Sequence, residues 1–116
     1  MTGVIALKLD TRIEIWSNTP GPNEKGHVVD RWLRVAAPWA EVVDILPSRS
    51  ERVAEAIDIA ARPCRIRMRY RDDIDASMRV KIGGRMLKII AGPAELGRRQ
   101  GTEILAEELS TMGAGG

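Results

Sequence analysis

The chain has no phenylalanine, one tyrosine, three tryptophans, one cysteine and one histidine in 116 residues. Each shortage excludes something. A lone Cys64 cannot close an intramolecular disulfide, which removes the disulfide-stapled secreted class and makes a reducing compartment the default. His27 stands without a cysteine or carboxylate at metal-ligand spacing, so no metal and no cofactor are expected. No serine, cysteine or lysine has a recognisable base partner. The carboxylate pairs Asp72-Asp73 and Glu107-Glu108 sit where turn and surface charges normally fall, so no catalytic residue is assigned and no enzyme is expected. Gly92, Gly97 and Gly101 are too scattered for a phosphate-cradling loop. Charge of one sign is missing too: 18 cations against 16 anions leave +2, despite a pI near 9.0, and no global field draws the protein to nucleic acid or membrane. Apolar runs are too short for a membrane span. Residues 1–7 lack the basic region and cleavage site of a signal peptide, so use without export is expected.

What is present reads as one globular domain, residues 1–111, with a loose glycine-rich tail at 112–116. The fold class is all-β with one short helix: a small antiparallel β-barrel or meander with a long loop after the first strand. Residues 12–16, RIEIW, alternate as a half-buried strand does. Residues 17–30 hold Pro20, Gly21, Pro22 and Gly26, which are expected to exclude regular structure; long loops are uncommon in small domains unless functional. Residues 30–35 and 39–46 form two parts of one bent strand, interrupted at Pro38 because proline cannot donate to a ladder. Residues 48–61, SRSERVAEAIDIAA, carry helix formers and helical spacing, with Ser48 or Ser50 as cap. Residues 64–71 read as a strand and 72–77 as a turn, with a helical turn possible from Ile74. Gly83-Gly84 between alternating runs predicts a type I′ hairpin with positive φ at both glycines. A last strand, TEILAEEL, completes the meander.

The strand from Cys64 puts Arg65, Arg67, Arg69 and Arg71 on one face and Cys64, Ile66, Met68 and Tyr70 on the other. Three readings stay open for the arginines. They form a solvated outer face paired to Glu103, Glu107 or Glu108, an interface with an acidic neighbouring subunit, or a phosphate contact that lacks an aromatic platform. Cys64 faces inward as a structural thiol. Trp16, Trp32 and Trp39 are read as the large core residues, with one of them alternatively in an interface.

The order of these pieces resembles the phage head-tail joining family, also called head completion, head closure or stopper proteins of long-tailed bacteriophages. Carrying the resemblance are RIEIW, the turn-rich loop, Trp32 in VVDRWLRV, Trp39-Ala40-Glu41 in PWAEV, RIRMRYR, and DDIDASMRVKIGGRMLKIIAG. It spans residues 12–108. The resemblance implies a structural virion protein of the neck, assembled in the bacterial host cytoplasm as a homo-oligomeric ring of sixfold or twelvefold symmetry. Such a ring lies beneath the portal or adaptor protein and above the tail terminator or tail tube, with packaged double-stranded DNA in its channel. It also implies that the loop projects into that channel, which makes Ser17, Asn18, Asn23, Glu24, Lys25, Gly26 and His27 candidate channel residues. A closed ring needs two different patches per subunit; Arg65, Arg67, Arg69 and Arg71 against Glu103, Glu107 and Glu108 are candidate halves. The alternative is a stand-alone small-barrel nucleic-acid-binding module, favoured by the arginine strand and disfavoured by near-neutral charge.

Overall fold

The computed structural model describes residues 6–45 and 62–109. Ten strands follow in chain order: β1 (Thr11–Arg12), β2 (Glu14–Asn18), β3 (Gly21–Pro22), β4 (Val28–Val29), β5 (Trp32–Ala36), β6 (Trp39–Asp44), β7 (Cys64–Met68), β8 (Arg79–Ile82), β9 (Arg85–Leu96) and β10 (Gly101–Glu108). Eight of them make one antiparallel sheet in the order β1-β6-β7-β10-β9-β8-β2-β5, curled into a half-barrel, while β3 and β4 pair separately. The architecture is all-β. No helix occurs among the described residues, and the expected helix at 48–61 and tail at 112–116 lie outside them.

The sheet's two edge strands are each continuous with an inner strand. β1 runs on into β2 through Ile13, and β5 into β6 through Ala37 and Pro38, so both edges belong to one long hairpin. Its register shows this: Thr11 faces Ala40, Arg12 faces Trp39, Ile15 faces Ala36 and Asn18 faces Trp32, with a single shift between Ile15 and Trp16. Pro38 falls opposite Ile13, whose N–H donates to the Pro38 carbonyl at 3.0 Å. The proline has no N–H to return, so the ladder loses one bond there, the interruption that the sequence implies.

Period-two alternation sorts the residues. Along β7, Cys64, Ile66 and Met68 are buried while Arg65 and Arg67 stay half-exposed. Ile13, Ile15, Val80, Leu87, Ile89, Ile104 and Ala106 close the same aliphatic core. No tryptophan joins them. Trp16 and Trp32 are half-buried and Trp39 is 50% exposed, which corrects the core assignment of all three. The inner face of this small curled sheet is filled by Ile, Leu, Val, Met and Ala, and the indoles lie on the outer wall beside cations. Arg79 stacks 4.0 Å from the Trp32 ring centroid and Arg12 lies 5.4 Å from that of Trp39.

Gly83 and Gly84 do form the turn between β8 and β9, but φ is positive at Gly83 alone, the pattern of a type II′ turn and not of I′. Strand β7 stops at Met68, short of the expected end at Arg71, and Ile74 starts no helical turn: Asp75 caps the bend by accepting the Ser77 N–H at 2.9 Å. β9 continues past Gly92 to Leu96, because bulges against β10 absorb the irregular Gly92-Pro93 step.

Candidate functional site

The segment expected to be a loop is a paired arm. Beyond Asn18 the register continues through Thr19, whose N–H donates to the Arg31 carbonyl at 2.8 Å, then Gly21 facing Val29 and Pro22 facing Val28. It closes with the Asn23 N–H on the His27 carbonyl at 2.8 Å. Antiparallel pairs alternate between hydrogen-bonded and non-hydrogen-bonded. Thr19 and Asn23 occupy bonded positions, so Pro20 and Pro22 occupy the others. Each proline ring therefore replaces an N–H that would have pointed away from the partner strand, and the ladder loses nothing. This parity is why a proline-rich segment holds regular structure where breakers were expected.

Side chains lock the arm from root to tip. Asn18 donates from Nδ2 to Asp30 Oδ1 at 3.1 Å and accepts the Arg31 N–H on Oδ1 at 2.9 Å. Arg31 folds back over Gly21 to donate to the Pro22 carbonyl, and a Cβ on Gly21 would come within 3.2 Å of that guanidinium. At the tip, Asn23 Oδ1 accepts the N–H groups of Lys25 and His27, both at 2.9 Å, and Gly26 takes φ +82°. Glu24, Lys25, Gly26 and His27 are exposed there, while Ser17 and Asn18 sit half-buried at the root. Glu24 and Asp30 balance Lys25 and Arg31, so the arm carries no net charge.

On the barrel wall, β7 and β10 are neighbours, and Glu103 stands directly across from Arg67. Arg67 Nε meets Glu103 Oε1 at 2.6 Å, and Lys88 meets Glu107 at 3.4 Å. Glu108 is shared by Arg85 and Arg62, and Arg71 pairs with Asp73 through two contacts of 3.0 and 2.8 Å. The arginine strand and the acidic edge are thus joined within one chain. Arg69 is exposed and makes no ion pair among the described residues, and the buried Nε of Arg65 lacks a hydrogen-bond acceptor. Thr102, buried, fastens the loop after β7 by donating to the Arg71 carbonyl and accepting its N–H.

Hydrogen bonding from Arg71 holds the Asp73 carboxyl below its usual range. The small stabilisation this brings is present above the ordinary carboxylate pKa and fades as pH falls through the depressed value. Burial pushes the Cys64 thiol up, against the opposing charge of Arg85. Cys64 is therefore expected to resist aromatic disulfide reagents at neutral pH until the protein unfolds; rapid labelling of native protein would contradict its burial.

The structure is a curled all-β body with a paired arm whose tip is exposed. The family model of phage head completion proteins matches residues 6–109, and the chain belongs to that family. It is a structural protein of the phage virion. A solution structure of a protein from Shigella flexneri 2a is similar at 30% identity and TM-score 0.69, covering 89% of this chain and 95% of that one. A chain from the virion of a native gene transfer agent particle shares the fold at 17% identity and TM-score 0.59, over 88% of this chain and 96% of that one. No curated protein sequence matches. Among the described residues no helix is long and apolar enough to cross a membrane.

Neither the order of the arm nor the outward position of the indoles is apparent from the residue pattern alone. The spacing of Pro20 and Pro22 by two residues was the one available signal for the first.

Proposed function

We propose that the protein forms a sixfold or twelvefold ring in the neck of a long-tailed phage, beneath the portal or its adaptor and above the tail terminator or tail tube. There it closes the DNA-filled head and presents a docking surface for the tail. The observation that carries this reading is the arm, a paired, hydrogen-bonded hairpin whose residues 20–30 contribute nothing to the core. In a ring, one arm per subunit would converge on the channel that holds the packaged double-stranded DNA. Its balanced charge suits steric closure better than binding to phosphates. Subunit contacts would be heterologous, using the wall that bears Arg65, Arg67, Arg69 and Arg71 with Glu103, Glu107 and Glu108. Because most of these groups are already paired within the chain, the exposed Arg69 is the member free to reach a neighbour.

Electron microscopy of particles made with and without the protein tests this. The expected result is tailless, DNA-leaking heads in its absence and a ring at the neck when it is supplied. Complete, tailed, DNA-filled particles without it would overturn the reading.

A further inference from the structure

The two edges of the arm differ. The outward positions of the first strand are Asn18, Pro20 and Pro22, so that edge offers almost no donors. Outward positions on the second strand are Val28, Asp30, Trp32 and Arg34, each with an N–H and a carbonyl that no backbone hydrogen bond among the described residues uses. Exposed apolar side chains gather on this same strand: Val28 at 75%, Leu33 at 58% and Val35 at 51%. Residues 28–36 contain neither proline nor lysine, the usual protections of a free edge.

We propose that this edge receives an extended acidic segment of another protein, added as a further strand. The charge on the face beside it selects the sign. Register places Arg34 and Arg79 on either side of Trp16, and Lys81 opposite Glu14, so this face holds three cations against Glu14 and Asp30, and Asp30 is already engaged by the Asn18 amide. Arg34 reaches Glu14 only at 3.5 Å and its side chain stays 57% exposed, while the other Glu14 oxygen accepts from the Trp16 indole. A strand carrying carboxylates opposite Trp32 and Arg34 and apolar residues beside Leu33 and Val35 satisfies both faces. A second copy fits less well: the first strand's edge is closed by its prolines, and pairing like edges brings together two faces with the same excess of cations.

The test uses the full chain, isotope-labelled, with a synthetic peptide of alternating valine and glutamate. Amide exchange at Trp32 and Arg34 is expected to slow by about tenfold or more, while Leu33, already bonded to Ser17, stays unchanged. Substituting lysine for glutamate in the peptide should remove the effect. Arg34→Pro deletes an outward N–H without breaking a bond to the first strand and should abolish protection at Trp32; Arg34→Ala, which keeps the backbone, should weaken it and flatten its salt dependence. Unchanged exchange with the acidic peptide would overturn the proposal, as would equal protection by the lysine peptide. So would protection that rises with protein concentration alone, which would assign the edge to a second copy, or protection by a short DNA duplex in place of the peptide.

Discussion

Replacing Gly92 with alanine is expected to destabilise the fold by roughly 3 kcal/mol, enough to lower the melting temperature by about 10 °C in a domain of this size. Two independent effects add at this position. Its φ of +94° lies where side-chain-bearing residues rarely go, and a Cβ there would stand 2.8 Å from the Glu103 carbonyl oxygen, a backbone atom that cannot swing aside. The glycine sits in the bulged stretch of β9, where Ala91 faces Leu105 and Ala94 faces Glu103, so extra residues bend the strand around the core. Gly84 is the control. It has open space for a Cβ and no positive φ, and Gly84→Ala should shift stability by no more than about 0.5 kcal/mol. Equal melting of Gly92→Ala and the parent would contradict the bulge geometry.

Excising the arm should leave the barrel and abolish the function. Thr19 and Arg31 form a hydrogen-bonded pair, so an Asn-Gly turn between them in place of residues 20–30 closes the hairpin in its natural register. None of the removed residues is buried, and the expected change in stability is within about 1 kcal/mol. Heads made with this variant are expected to carry the neck ring yet lose their DNA, with the filled fraction falling to that seen without the protein. Filled, infectious particles at the parent level would show that closure does not depend on the arm. An absent ring would instead move the arm's role to assembly.

Those elements whose evidence is local were legible in the sequence. Alternation in CRIRM places Cys64, Ile66 and Met68 inside because a strand's side chains have only two directions. Gly83-Gly84 marks a turn because few other pairs reverse the chain in two residues. The remainder depends on which strands become neighbours. Whether Pro20 and Pro22 break a strand or decorate its edge depends on the parity fixed by Thr19 and Asn23 across from Arg31 and His27. Arg67 finds Glu103 only because β7 and β10 are adjacent, a fact of topology that spacing does not carry. The tryptophans were misplaced through size: a large apolar side chain argues for burial, but a tightly curled sheet has room inside for aliphatic chains, and the indoles instead cover the outer wall under Arg12 and Arg79.

Residues 11–40 form one continuous hairpin, already paired in the free protein. Cross-strand Hα–Hα contacts in solution test it most directly, since these protons approach closely only in non-hydrogen-bonded antiparallel pairs. Such contacts are expected between Asn18 and Trp32, Pro20 and Asp30, and Pro22 and Val28, together with slow exchange of the Thr19 and Asn23 amides. Their absence, with rapid exchange throughout residues 19–31, would contradict it and return the segment to a loop.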